Sequence, residues 1–387
     1  MRNTNSYDIA VLGLGAVGSM AAWRAAARGA RVIGFERYDI AHAHGSSHGG
    51  SRIFRQTLFE GTEYVPLVNR ARPLWNRLER ESGAALFQVS GGLCIGPEDS
   101  ALIANALASA RIGGFEHELL EPDELAGRFP QHAAIPEDFA VFEPGAGVLD
   151  PEACIRAAVR LATGHGAEIA PRTEVTAIEH DESGVSIRTG ADSFRARRAI
   201  VATGAWFTDL LPDLALPLKV QRSPLVWFTG ADRPAYRPER FPVFIRRSGE
   251  LDGWGIPDVD GNGVKIGAGP SAPKPWLQRP EDNGYPIDER DTDPVEKFCA
   301  AAFPGLNPVA ASAAPCMNSR TTDRDFVLGV TRRAPSLVLA GGFSGHGFKH
   351  ASASADVCVD LALDGASDVP LSRFSPDRFS SGQGEGQ

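Results

Sequence analysis

At 387 residues, 43% of them hydrophobic and 22% charged, the chain is long and apolar enough for two domains with sizeable cores. Its net charge of −9 argues against nucleic acid or an anionic membrane as partner, because phosphate binding needs a basic face, and no apolar run approaches a membrane span. Five widely spaced cysteines without a CxxC exclude a disulfide scaffold or zinc ribbon; with a start lacking a signal peptide's apolar stretch, they predict a cytoplasmic protein, monomeric or weakly homo-oligomeric.

The first predicted elements lie in YDIAVLGLGAVGSMAAWRAAARGARVIGFE (7–36). A short apolar strand, Ile9 to Leu12, turns at Gly13-Leu14-Gly15-Ala16-Val17-Gly18 into an Ala-rich helix ending near Gly29, and a second strand, Arg31 to Phe35, ends at Glu36. Strand, glycine turn, helix, strand and terminal acid together form a dinucleotide-binding fingerprint. Gly13 permits the turn, Gly15 lets a pyrophosphate approach the backbone, and Gly18 lets helix pack on strand. The helix N-terminus offers its partial positive charge to the phosphates, and Glu36 can accept hydrogen bonds from ribose hydroxyls. The fingerprint alone does not separate NAD from FAD.

The next segment, AHAHGSSHGGSRIFRQ (41–56), packs three histidines and two arginines among Gly and Ser, too flexible for a helix and too polar for a core strand. A metal site suits it poorly, since no carboxylate or cysteine joins His42, His44 and His48, and no metal is expected. His42 and His44 are expected to be solvated.

Residues 86–145 mix helix and strand patterns, and 173–206 read as a strand meander closing on Ala199-Ile200-Val201 and the turn Ala202-Thr203-Gly204. Residues 220–320 hold strand-like runs such as Val243-Phe244-Ile245 and Val264-Lys265-Ile266 between Pro/Gly loops. In SLVLAGGFSGHGFKHASASADVCVDLALDG (336–365) a strand, Leu337 to Ala340, runs through a Gly-rich turn into a helix stopping at Gly365. That helix start can direct N–H groups at the pyrimidine oxygen of a reduced flavin, so FAD is favoured over NAD. The expected fold is α/β, with a glutathione-reductase-type Rossmann FAD domain assembled from 1–85, 146–219 and 321–375. An α+β substrate domain with a mainly antiparallel sheet comes from 86–145 and 220–320, and 376–387 is expected to be disordered.

Three stretches carry a more specific signal: HGSSHGGSRIFRQTLFEGTEYVPL (44–67), PCMNSRTTDRDF (315–326) and GGFSGHGFKH (341–350). Together they resemble the monomeric sarcosine oxidase and N-methyltryptophan oxidase family, from the first strand to about residue 375. The resemblance implies FAD attached covalently through Cys316. It implies that His48, Ser51 and Arg52 face the flavin, with Arg52 and His48 in catalytic roles. It implies that Arg55 and Lys349 bind a substrate carboxylate, that Lys265 promotes reaction with O2, that Trp254 and His346 shape the substrate pocket, and that Gly345 and Gly347 bind the cofactor. Physical chemistry supports the carboxylate pair: Arg offers a planar fork and Lys a point charge, and a cation at a helix start is misplaced unless an anion meets it.

The implied activity is oxidation of a secondary or N-methyl amino acid. Hydride passes from an α-side C–H to flavin N5, the imine hydrolyses, and O2 becomes hydrogen peroxide. The rivals are a flavin dehydrogenase using another acceptor, an NAD(P)-dependent dehydrogenase, and a non-catalytic flavoprotein subunit. The chain departs from the sarcosine oxidase pattern at three positions. Gly269 stands in place of a His, Asn318 in place of a Tyr and Trp254 in place of a Tyr. The expectation is a reshaped pocket for a larger or cyclic amine, such as an N-methylated aromatic amino acid or a pipecolate- or proline-like ring.

Overall fold

The computed structural model describes residues 6–382, apart from 191, 270, 271 and 273. The expected mixed α/β fold is present as two large sheets. In the first, the strand Ser6–Leu12 lies between Val32–Phe35 and Ser193–Val201, parallel to both, with Ile9 opposite Val32 and Val11 opposite Ile200. Glu168–Ala170 extends the parallel set beyond Val32–Phe35. Ser193–Val201 is long enough to change partners along its length. Its first half pairs antiparallel with Gly184–Thr189, and its last residues pair parallel with Ala334–Gly341, Ala199 facing Leu337. The first and third nucleotide-fold segments thus meet within one sheet although over 300 residues separate them.

The parallel strands are buried because helices cover them. The helix Ala16–Ala27 buries nine residues, Trp23 among them, against Pro151–Gly164 and Ala351–Leu363. Its small side chains allow that close packing. Pro151–Gly164 begins with an Asp150 cap whose carboxylate accepts from Ala153 N.

The second sheet is mainly antiparallel. Leu225–Phe228, Val264–Ala268, Leu251–Ile256 and Val243–Ser248 follow one another in antiparallel pairs; Gly92–Pro97 then joins parallel and Asp138–Glu143 antiparallel. Lys265 therefore sits on a central strand, not an edge. A small sheet of Arg52–Phe54, Gly147–Leu149 and Phe87–Val89 joins the two regions. Residues 52–54 are thus a paired strand, where composition predicted none: Ile53 and Phe54 supply the apolar contacts, and Phe54 is fully buried. A second small sheet sets Leu218–Arg222 between Met317–Thr321 and Trp276–Leu277.

The tail needs correction. Pro376–Gly382 forms a 3-10 helix, with Asp377 accepting from Thr331 Oγ1 and Arg378 bonded to Asp323. Residues 383–387 lie outside the described part. Among the described residues, no helix is long and apolar enough to cross a membrane.

Candidate active site

A cavity of about 580 Å³ runs from the end of Val32–Phe35 past the first glycine turn to Gly345 and Gly347. Its floor is shaped by backbone contacts no side chain could tolerate. Gly13 has φ +83°, and a Cβ there would lie 2.7 Å from Ala202 O; a Cβ on Gly18 would lie 1.8 Å from Gly13 O. A Cβ on Gly15 would meet nothing within 4 Å, so this is the face left open for a ligand's phosphates. Glu36 is buried at the far end, its Oε2 accepting from Leu14 N (2.9 Å) and its Oε1 from Tyr38 N (3.0 Å). Burial pushes its pKa up, but these bonds and His42 outweigh burial and hold it below the usual carboxylate value. Carboxylate oxygens with a second lone pair remain able to accept from a ribose. His42 is not solvated as expected: its Nε2 stands 3.2 Å from Glu36 Oε1, and its ring packs against Tyr38 and His44.

Beyond Ser46 and Arg52, which line both spaces, lies a second chamber of about 450 Å³. Arg52 donates to Ser51 O and Ser46 O, 2.7 Å each, so the guanidinium is fixed at the junction by the segment it belongs to. That segment is itself pinned by Glu152, which accepts from Gly49 N and Gly50 N. Lys265 enters from behind, donating to Gly49 O, Ser51 O and Ser51 Oγ, with Trp227 beneath it. Burial, then Arg52, pulls the Lys265 pKa down to about 7. Ser51 lines the chamber, whereas Lys265 and His48 line neither cavity. His48 is buried with Nε2 unpartnered, and burial followed by Arg52 lowers its pKa to about 4, so it is neutral at physiological pH.

Arg55 and Lys349, 294 positions apart in sequence, converge within the chamber on one carboxylate oxygen. Arg55 Nη2 and Lys349 Nζ each lie 2.7 Å from Glu60 Oε1, while Glu60 Oε2 is buried with no partner. Arg55 also donates to Thr57 O and lies over Phe59. Burial opposes ionisation of Glu60, but Arg55 and Lys349 hold its pKa well below the ordinary value. Burial pulls Lys349 down to about 8 against the raising pull of Glu60. Behind Arg55, Glu143 takes the N–H groups of Gln56 and Thr57 and the Thr57 hydroxyl, fixing the strand end from which Arg55 projects.

Cys316 lines the same chamber and is buried; burial raises its thiol pKa while Arg52 and Lys265 work against that rise. Trp254 stands in the wall, and His346 closes the Lys349 side, packed on Phe326 and Tyr64, with burial lowering its pKa to about 4. Gly269 does not enlarge the pocket. A Cβ there would lie 1.9 Å from Asp252 Oδ1, so the Asp252 carboxylate occupies the space. Asn318 fills against Gly345, and both line the two cavities.

Sequence reasoning missed Glu60, Asp252, Arg247, Lys274 and Arg320, all on the chamber wall. Only Glu60 carried a local signal, an acid five residues past Arg55 in TLFEG.

A Rossmann cavity opening onto a cation-lined chamber is the layout of a flavin-dependent oxidoreductase. The family described as FAD dependent oxidoreductase matches residues 8–361. Monomeric sarcosine oxidase of Streptomyces avermitilis is 35% identical over 97% of this chain and 98% of its own length. N-methyl-L-tryptophan oxidase of Escherichia coli O157:H7 is 33% identical over 96% and 99%. The solved structure of NikD, an unusual amino acid oxidase essential for nikkomycin biosynthesis, superposes with TM-score 0.83 at 25% identity, covering 96% of this chain and 98% of that one. The chain belongs to the monomeric sarcosine oxidase and N-methyltryptophan oxidase family of FAD-dependent oxidoreductases, and is a flavin-dependent enzyme of amine or amino-acid oxidation. The glycine cradle, Glu36 and the open face at Gly15 fit FAD.

Proposed function

We propose that the enzyme is an oxidase of secondary or N-methyl amino acids, acting in the cytoplasm with FAD tethered through Cys316. The observation that carries this is Glu60. Two cations from opposite ends of the chain already share one carboxylate oxygen at 2.7 Å each, which is the spacing a substrate carboxylate requires. When bound, FAD would supply the two-electron acceptor for the amine, with O2 as the final oxidant and hydrogen peroxide as its product. The protein's part is orientation. A substrate carboxylate held by Arg55 and Lys349 fixes the adjacent carbon in one place, and such positioning removes much of the barrier to transfer. The substrate amine enters neutral, since an ammonium has no lone pair to drive hydride loss. Lys265, fixed behind Ser51, places positive charge where O2 gains electrons.

Acid precipitation tests the tether. Wild-type protein is expected to give a yellow pellet, and Cys316→Ser a white one with the colour in the supernatant; colour released from the wild type refutes the linkage. Turnover of sarcosine or another N-methyl amino acid with one hydrogen peroxide per imine tests the activity.

A second measurement follows from Lys349. Below about pH 8 it is an ammonium and attracts a carboxylate; above that it becomes neutral and the attraction is lost. Dissociation constants for acetate, which has no amine to titrate, are therefore expected to rise as pH passes about 8, by up to about tenfold per unit. Lys349→Met is expected to flatten the profile.

A further inference from the structure

The chamber holds more positive charge than one carboxylate site uses. Glu60 offsets one of the two charges of the Arg55–Lys349 pair. Asp252 stands 3.6 Å from Arg247, Asp325 holds Arg373, and Asp323 holds Arg378. Those pairings account for each acid on the chamber wall and leave Arg52, Arg324 and two further cations without an ion pair among the described residues; Arg52 is held by backbone carbonyls.

Arg320 is the first. It forms no side-chain hydrogen bond or ion pair among the described residues, and its Nε is buried without a partner. Lys274 is the second; among the described residues its Nζ donates to the Ala268 carbonyl, 2.7 Å away, and to no carboxylate. The fold sets them on one wall. Arg320 lies on Met317–Thr321 opposite Lys219, and Lys274 just precedes Trp276–Leu277, the other neighbour of Leu218–Arg222. Gln221 of that shared strand donates to Lys274 O. Neither charge is comfortable there: burial, then Arg320, pulls Lys274 down to about 8 against the raising pull of Asp252, and burial, then Arg324, lowers Arg320.

Unpaired cations facing one another in a partly dry wall are unfavourable for the protein alone, and such arrangements concentrate where a ligand completes them. The Arg55–Lys349 pair rises from the strand end at residue 55 and the helix start at 348–350, whereas Arg320 and Lys274 rise from the sheet around Leu218–Arg222. The chamber therefore has two cationic poles, and Glu60 offsets charge at only the first. Its volume of about 450 Å³ has room for an amino acid with an acidic extension. Asp252 in the space at Gly269 excludes a bulky apolar group from that corner.

We propose that the preferred substrate is an amino acid carrying a second carboxylate, with its α-carboxylate at Arg55 and Lys349 and its distal carboxylate at Arg320 and Lys274. This rests on the oxidase function proposed above and names its substrate class. Arg320 and Lys274 are then specificity-determining residues. The distal acid can sit on the amino-acid side chain or on the nitrogen substituent, since both reach away from the α-carboxylate.

The holoenzyme tests this with isosteric acid and amide pairs. One pair is N-methylglutamate and N-methylglutamine, for the side-chain position; the other is N-(2-carboxyethyl)glycine and its primary amide, for the nitrogen substituent, chiral compounds being supplied as racemates. In at least one pair kcat/KM is expected to favour the acid by tenfold or more, and that pair identifies the position. The acid-to-amide ratio is expected to fall below threefold in Arg320→Gln and in Lys274→Met, the second variant standing in if the first does not fold. Binding of glutarate over its monoamide, read from flavin absorbance without turnover, is expected to show the same preference and the same loss. Amides used as well as acids, or an acid preference that survives both substitutions, overturns the proposal while leaving amine oxidation intact. Failure of all four compounds and of sarcosine to reduce the flavin overturns the oxidase function itself, and this inference with it.

Discussion

Arg55→Ala is expected to lower kcat/KM by at least about thirtyfold and to weaken carboxylate binding by a similar factor. Truncating one member of a buried, hydrogen-bonded charge pair costs about 2–5 kcal/mol, much of it from the partner left behind, and each 1.4 kcal/mol is about tenfold. Here the partner is Glu60. Without Arg55, Glu60 Oε1 keeps Lys349, but its Oε2 is already unpartnered and buried. An incoming carboxylate would then face a negative charge with one cation instead of two. The double variant Arg55→Ala/Glu60→Gln is accordingly expected to bind acetate more tightly than Arg55→Ala alone. Coupling between groups in one such network runs at about 0.5–3 kcal/mol. In the wild-type background Glu60→Gln is expected to tighten acetate binding, because the internal carboxylate that holds the pair is gone. An unchanged KM and acetate affinity in Arg55→Ala would place the substrate carboxylate elsewhere. Thermal melts of each variant separate this from loss of fold, and Arg55→Lys, which keeps a charge, is expected to recover part of the binding.

The parts of this site legible in the sequence were those set by local backbone rules. A glycine turn between a strand and a helix is a short-range device, so Gly13, Gly15, Gly18 and Glu36 could be placed from their spacing. Arg55, Lys349 and Cys316 were reached only through resemblance, since nothing local brings positions 55, 316 and 349 together. The contacts of Arg52–Phe54 with Phe348–His350, and the bridge from Arg320 to Phe343, do that, and they are long-range. Glu60 was passed over because an acid in a loop next to an arginine is ordinarily a solvated pair; only its side chain, 9% exposed between Arg55 and Lys349, gives it weight. Gly269 misled for a related reason. A side chain lost at one position enlarges a pocket only if no neighbour takes the space, and Asp252, on the adjacent strand, takes it. His42 was expected in solvent because its neighbours are Gly and Ser, yet the chain turns back at Ala41, φ +61°, and delivers the imidazole to Glu36.

Lys265→Gln is expected to separate the two halves of the catalytic cycle. Anaerobic reduction of the flavin by substrate should stay within a few fold of wild type, because Lys265 lines neither cavity and meets the chamber only through Ser51. Reoxidation by O2 should slow by about 100- to 1,000-fold, the size of effect seen when one donor stabilising a developing negative charge is removed. Gln is the informative replacement, since its amide can still donate toward the Gly49 and Ser51 oxygens that Lys265 now satisfies, whereas Met would take the donor from Gly49 O and Ser51 Oγ, Ser51 O keeping Arg52. The sign of the pH dependence follows from the same burial. The ammonium is charged below its depressed pKa of about 7 and is lost as pH rises through it, so wild-type reoxidation should slow with rising pH. A reduced flavin carrying negative charge nearby would move that midpoint upward. Lys265→Gln should remove the pH dependence together with the rate. A variant that slows substrate reduction as much as reoxidation would instead make Lys265 a structural tie between Val264–Ala268 and the Gly49–Ser51 segment, and the charge that assists O2 would then have to come from Arg52.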